Sequence, residues 1–367
     1  MNDTEGFIKK MTTPTITKPD PVEKKPEVNG VQSPQLLTLS SSPHIRHPDS
    51  VPHIMLWVVI ALVPAIIASY IFFGWRAIFL TAVSVLSAIA TEWLISTKLM
   101  RKPSSIGDFS AVITGILLAF NVSPALPWWM VVLGSVFSIG VAKMAFGGLG
   151  CNFINPALAG RAFLMASYPA AMTRFVATTW GSTTGIDGMT GATPLANFKI
   201  AVANGTFQPL DFQDALFNLF IGNVGGCIGE TSAVALLLGA IILWYKRIIG
   251  FRIPLVYIGI VFILYWLFND TGALFTSSAL VVPFYQILSG GLFLGAIFMA
   301  TDMVTSPITP KGKIFFAAGC GILTFLIRKF GGYPEGVSYS ILIMNLFVPL
   351  IERYSRPKIY GEVKKSD

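Results

Sequence analysis

Seven consecutive residues, Asp187-Gly188-Met189-Thr190-Gly191-Ala192-Thr193, place two hydroxyls and two glycines between long apolar stretches. Glycines of this kind let backbone N–H groups close around an anion such as phosphate. Turns of this composition are common without any ligand, so residue types alone leave a plain turn and a phosphate-holding loop both open. Two carboxylates, Glu230 and Asp302, lie inside or beside apolar spans, where an ionisable group is costly and is a functional candidate by default. Their hard oxygens suit an ion path, although Glu230 follows a glycine-rich break and could simply cap it. Asn152 and Asn155, in "GCNFINPALAGRAF", stand at a similar break, where amides commonly cap helix ends. Glu92 and Glu335 are weaker candidates, and Glu335 is expected in an exposed turn.

The remaining chemistry-bearing residues argue against several site types. His44, His47 and His53 fall in a proline-interrupted segment with Asp49 as the nearby carboxylate, which reads as an interfacial or subunit-contact segment rather than a metal site. Cys151, Cys227 and Cys320 form no C-x-x-C pair, so neither a disulfide framework nor a cluster site within this chain is expected. Cys151 and Cys227 read as small-residue packing positions, the alternative being a cluster shared with other subunits. No G-x-G-x-x-G fingerprint is present, so NAD would have to dock elsewhere. No metal site and no catalytic residue are predicted.

The elements that must position these residues are membrane helices. The chain of 367 residues is 53% hydrophobic and 12% charged, about half the charge of an ordinary soluble domain. Its net charge of +8 is spread in short clusters between apolar spans, which excludes a nucleic-acid surface and fits the positive-inside rule. Residues 1–40 are rich in Pro, Thr and Lys and are expected to form a disordered cytoplasmic tail, with no cleavable signal peptide. Spans of membrane length fall near 54–73, 77–96, 106–122, 128–146, 157–172, 229–245, 254–269, 274–299, 314–327 and 337–351. The expected fold is therefore an all-α polytopic membrane protein of about ten transmembrane helices. Lys98, Arg101 and Lys102 share one side with Lys246, Arg247 and Arg252, with Lys311 and Lys313, and with Arg353, Arg356 and Lys358. Arg76 stands nearly alone on the other side, with Arg328 and Lys329 as the exception. This asymmetry puts both termini in the cytoplasm, including a tail at 352–367, and the 173–213 connection outside.

An internal repeat organises the spans. "SPALP" (Ser123–Pro127) recurs as "SPITP" (Ser306–Pro310), and each is followed some two dozen residues later by "FGG", at Phe146–Gly148 and Phe330–Gly332. The two copies fall on opposite faces, as an odd number of helices per repeat requires. Two inverted five-helix repeats are expected, 41–172 and 214–351, with interrupted helices framing a site near the midplane. On the repeat alone, a secondary transporter or channel without a redox centre is the competing reading.

The string at 187–193 decides between them. It resembles the Asp-Gly-x-Ser/Thr-Gly-Ala-Thr signature that a flavin transferase modifies, and a transporter has no reason to carry it. Together with "SPHIRHPDSVPHIM", "FGGLGCNFINPALAGRAFL", "GNVGGCIGETSAVALLLGA", "GAIFMATDMVTSPITPKGK" and "GGYPEGVSYSILIMN", it makes the chain from about residue 40 to 357 similar to the D subunits of Rnf complexes. The paralogous B subunit of the sodium-translocating NADH:quinone reductase is also similar. The resemblance implies a bacterial cytoplasmic (inner) membrane subunit of a redox-driven ion pump, inactive alone, that couples electron flow between ferredoxin and NAD to Na⁺ or H⁺ transport. It implies covalent FMN joined through its phosphate to the hydroxyl of Thr193, with Asp187, Gly188, Thr190, Gly191 and Ala192 completing the flavinylation motif. It further implies a possible riboflavin site at Asn152 and Asn155. Arg161 could neutralise a flavin there or snorkel, and snorkelling is expected. The implied partners are a second flavin-carrying subunit, iron–sulfur membrane subunits, a peripheral NAD-binding subunit, the flavin transferase and membrane lipid, with no nucleic acid.

Overall fold

Apolar residues on every side of a helix are tolerated only when the surroundings are themselves apolar, and this chain has such helices. In the computed structural model, residues 50–101, 105–176, 178, 190–191, 193–204, 209–268, 280–331 and 335–356 are described. Helix α1 (Val51–Phe73) turns at Gly74, whose φ of +68° suits glycine, into α2 (Trp75–Trp93), which continues as a π-helical turn to Leu99. Then follow α3 (Ser110–Phe120), α4 (Trp128–Gly140), α5 (Pro156–Ser167) and the single turn α6 (Pro169–Met172). Two short strands, β1 (Phe175–Val176) and β2 (Thr190–Gly191), pair antiparallel and lead into α7 (Pro194–Ala203) and α8 (Pro209–Ile221). The second half comprises α9 (Ala233–Tyr245), α10 (Arg252–Leu267), α11 (Val281–Leu288), α12 (Leu292–Leu294), α13 (Pro310–Phe330) and α14 (Val337–Ser355). A π-helical turn, Gly295–Met299, prolongs α12.

The fold is predominantly helical, as expected, and its polarity is arranged for lipid. Ile67, Leu86, Ile241 and Leu255 face outward, whereas Ser84, Ser135, Thr324 and Ser340 are buried. Inside, Tyr257 Oη lies 2.7 Å from Thr324 Oγ1 and 2.8 Å from Ser340 Oγ, tying α10, α13 and α14 together. Ser84 Oγ donates to Gly115 O at 2.7 Å where α2 and α3 run close. Among the described residues, Val51–Phe73, Trp75–Leu99 and Trp128–Phe146 are each long and apolar enough to cross a membrane. The bent pair Val281–Leu288 and Leu292–Met299 passes the same test as one broken span.

Neighbouring helices pack serially within each half. Helix α2 packs on α3 and α4, and α4 on α5; α10 packs on α11 and α13, and α13 on α14. Across the halves α1 meets α9 and α5 meets α14. One continuous apolar core joins them, from Leu62 and Leu118 to Leu236, Phe316 and Ile341.

Two boundaries differ from expectation. The span at 274–299 is, over its described residues 280–299, two helices bent by 65° at Ser289–Gly291. Gly290, at φ +68°, makes the break. The 173–213 connection contains α7 and the start of α8, which crosses the expected 213/214 boundary. The 1–40 tail and residues 357–367 lie outside the described residues.

Candidate functional site

Thr193 sits where the strand pair hands over to a helix. Pairing of Phe175 with Gly191 and Val176 with Thr190 brings the motif back against the bundle. Thr193 (φ −63°, ψ 157°) then caps α7: its Oγ1 accepts from Ala196 N at 3.3 Å, and Pro194 takes the first helical position. Tyr285 of α11 fixes that turn by donating from Oη to Pro194 O at 3.0 Å, and its ring stacks on Phe198. Lys199 Nζ donates to Gly331 O at 2.7 Å, at the end of α13. Partial burial, and then the charge of Arg328, lower the pKa of Lys199. Thr193 is 4% exposed and lines a cavity of about 20 Å³ with Gly226, Glu230, Thr231, Gly290 and Glu335. Asp187, Gly188 and Ala192 lie outside the described residues; Thr190 and Gly191 are placed as the backbone of β2.

Behind that cavity is a buried charge cluster centred on Arg161. Its Nη1 donates to Asn121 Oδ1 (2.6 Å) and Glu230 Oε1 (2.7 Å), and its Nη2 pairs with Glu335. Snorkelling is therefore wrong for Arg161: α5 is held between α4 and α14 with this side chain inward, onto two carboxylates. Glu335 is likewise not in an exposed turn, its side chain being 10% exposed. One guanidinium faces two carboxylates, and among the described residues Glu230 Oε2 has no hydrogen-bond partner. The glycine-rich segment after α8 positions Glu230 by running along the end of α3, with Ile228 N–H donating to Val122 O and Gly229 N–H to Phe120 O. A Cβ at Gly229 would lie 2.0 Å from the Phe120 ring, so only glycine permits this approach.

A second cavity, of about 110 Å³, gathers Asn152, Asn155, Lys143 and Asp302 against apolar residues of α1 and α3. Asn155 does cap α5, its Oδ1 accepting from Ala157 N and Leu158 N, but its Nδ2 also donates to Met299 O at 3.2 Å. Asn152 Nδ2 donates to Ile154 O at 3.2 Å. Asp302 accepts from Val304 N and Thr305 Oγ1, holding its own turn. Beside them Lys143 Nζ pairs with Glu92 Oε2 at 2.6 Å and donates to Ser110 Oγ, while Ser105 Oγ donates to Glu92 Oε1. Glu92 is thus committed within a satisfied buried pair. His53 Nε2 accepts from Trp57 Nε1 at 3.0 Å.

The two cavities are joined by polar side chains. Asn155 reaches Met299 O; Asn121 Nδ2 lies 3.6 Å from Met299 Sδ and bonds Leu117 O; Arg161 joins Asn121 to Glu230 and Glu335. The sequence reading missed Arg161, Asn121 and Glu335 as one constellation. The available signal was Arg161 within the apolar helix α5, since a charge inside a bundle needs a partner of opposite sign.

The NQR2, RnfD, RnfE family model matches residues 38–361. Among similar curated proteins is the D subunit of the Na(+)-translocating ferredoxin:NAD(+) oxidoreductase complex of Acetobacterium woodii, 49% identical over 89% of this chain and 96% of that protein. The D subunit of the proton-translocating ferredoxin:NAD(+) oxidoreductase complex of Clostridium ljungdahlii is 45% identical over the same shares. The D subunit of the ion-translocating oxidoreductase complex of Stutzerimonas stutzeri is 39% identical over 85% of this chain and 93% of that protein.

Proposed function

This chain belongs to the NQR2, RnfD, RnfE family, and from that membership we propose that it is the D subunit of an ion-translocating ferredoxin:NAD oxidoreductase complex. It works in a bacterial cytoplasmic membrane, within a redox-driven pump, alongside a second flavin-carrying subunit, iron–sulfur membrane subunits and a peripheral NAD-binding subunit. Its own part is to carry covalent FMN on Thr193 and to couple electron flow to cation movement. Relatives of nearly equal identity are named for Na⁺ and for protons, so the cation is left as one of the two.

The observation that carries the reading is the set of buried polar contacts between the Asn152–Asn155–Asp302 cavity and the Thr193 cavity. A bundle in lipid retains such groups where charge must pass or a cofactor must be held. The local geometry at Thr193 suits a phosphate. The hydroxyl stands at the N-terminus of the ten-residue helix α7, where the helix dipole favours an anion. The adjoining cavity, of about 20 Å³, admits roughly one water molecule, so it would not hold the isoalloxazine ring. Attachment through the phosphate is compatible with that limit because it leaves the ring elsewhere. FMN, when bound, supplies the redox chemistry. The chain holds the attachment point rigid through Tyr285 and Lys199. Asn152 and Asn155 would contribute amide contacts to riboflavin at the second cavity, and Glu230 and Asp302 oxygens to the cation path. The pairing of α1 with α9 and of α5 with α14 across the halves fits two inverted repeats related by a pseudo-two-fold axis.

The flavin bond tests the reading most sharply. A phosphodiester survives denaturation, so the polypeptide, co-expressed with its flavin transferase, should fluoresce in a denaturing gel and gain the mass of FMN less one water. Thr193→Ala removes the attacking oxygen and should abolish both signals, whereas Thr190→Ala should retain them at equal or lower yield. Covalent flavin on the Thr193→Ala chain would overturn the assignment.

A further inference from the structure

Two cations away from the flavin motif have no ionic partner among the described residues. Arg252 opens α10 and Lys313 lies in the first turn of α13, and both line a cavity of about 630 Å³ together with Gly250, Ser306 and Ile308. Among the described residues, the ion pairs involve neither side chain. The nearby carboxylates are engaged elsewhere: Glu352 Oε1 accepts from Ile308 N, and Asp302 holds its own turn. Ile249 and Phe251 belong to this cavity and also to an almost wholly apolar groove of about 480 Å³ on α10, lined by Leu255, Ile258, Phe262, Phe293 and Ile297. The cationic end therefore runs without interruption into the apolar length. Trp244, packed on Phe251, and Lys246, 4.0 Å from the Trp57 ring centroid, surround the same end with the aromatic and basic residues typical of a membrane interface.

We propose that this compound pocket is a binding site for one anionic phospholipid, of the phosphatidylglycerol class, with its phosphate between Arg252 and Lys313 and an acyl chain along α10. Charge complementarity selects the occupant. A neutral lipid fills the groove but leaves both cations unpaired, free phosphate pairs the cations but leaves the groove empty, and an anionic lipid satisfies both. Arginine's planar fork suits a phosphate, and basic pockets at the ends of membrane helices recognise anionic headgroups. Gly250 at the cavity and Gly259 in the groove keep room open, since a Cβ at either would meet nothing within 4 Å.

The test uses the purified whole complex and phospholipids carrying a photoreactive acyl chain. Phosphatidylglycerol should label the α10 segment several-fold more than phosphatidylcholine. The double variant Arg252→Gln/Lys313→Gln should reduce that labelling on the order of tenfold, and Gly259→Trp, which fills the groove, should reduce labelling by both lipids. Co-purification of each variant with the other subunits, at the wild-type elution volume of the whole complex, shows that the subunit is folded. Equal labelling by the two lipids, unchanged labelling in the double variant, or displacement by inorganic phosphate would each refute an anionic-lipid site. So would labelling of a neighbouring subunit's helix in place of α10, which would mean that a protein segment covers the groove.

Discussion

Neutralising Glu230 removes one charge from a cluster in which a single guanidinium serves two carboxylates. Glu230→Gln keeps an acceptor for Arg161, which also retains Glu335 and Asn121, so the bundle should persist and flavin should stay attached. What it loses is the charge beside the unpartnered Oε2 at the Thr193 cavity. Turnover of the reconstituted complex should fall and its dependence on Na⁺ or pH should shift. Asp302→Asn should act in the same direction, with some loss of stability because Asn has one acceptor oxygen where Asp302 uses two. Unchanged turnover and cation dependence in both variants would return the pair to structural roles. At this scale the sequence marks positions rather than contacts: the motif singles out Thr193, and the cost of charge in an apolar span singles out Glu230 and Asp302, and all three line cavities here. Arg161 was misread because sequence gives a side chain's length but not its direction, and snorkelling or pairing depends on which way α5 faces. Glu335 differs from expectation for a related reason: "GGYPEG" has the composition of an exposed turn, and the pairing of Glu335 with Arg161 goes with its burial.

Gly290 shows how an element's shape reaches the site. Its left-handed backbone breaks α11 from α12, and the carbonyls freed there are taken by Arg328, whose Nη1 and Nη2 donate to Gln286 O and Ser289 O. A Cβ at Gly290 would lie 2.8 Å from Leu195 Cδ1 and 3.3 Å from Arg328 Nη2. Gly290→Val thus combines left-handed strain of roughly 1–2 kcal/mol with a clash against α7, the helix that Thr193 caps. It should lower the melting temperature of the complex and the fraction of chains carrying covalent flavin. Gly107→Ala, where a Cβ meets nothing within 4 Å, should change neither. Full flavin loading in Gly290→Val would show that the break does not position Thr193. The apolar spans foretold most of these helices because hydropathy sums along the chain. The same summation hid the bend inside 274–299. It also passed over α8, whose polar residues dilute its apolar face.

At the scale of the whole molecule, orientation rests on which charges lie at which end. Lys313 and Arg328 are fifteen residues apart on α13, about 22 Å at 1.5 Å per residue, so they mark its two ends. Arg252 shares a cavity with Lys313, which gathers the basic α9–α10 turn at that end. Thr193 belongs to the other, where α7 contacts Gly331 and Tyr285. Arg328, an exception to the charge asymmetry, is 2% exposed and bonded to carbonyls of the α11 break. A cation consumed inside the fold carries no topological information, so its departure from the rule has a structural cause. With Arg328 set aside, Lys329 is the remaining exception at that end, and the positive-inside rule predicts the Lys313 end in the cytoplasm and Thr193 outside. Cysteine labelling in intact cells tests this, in a Cys151→Ser background because Cys151 is exposed. Asn204→Cys, at the exposed end of α7, should react with an impermeant maleimide. Tyr245→Cys, exposed at the end of α9, should react only after the membrane is opened. The reverse pattern, with Tyr245→Cys labelled in intact cells and Asn204→Cys protected, would invert the molecule and place the flavin attachment on the cytoplasmic side.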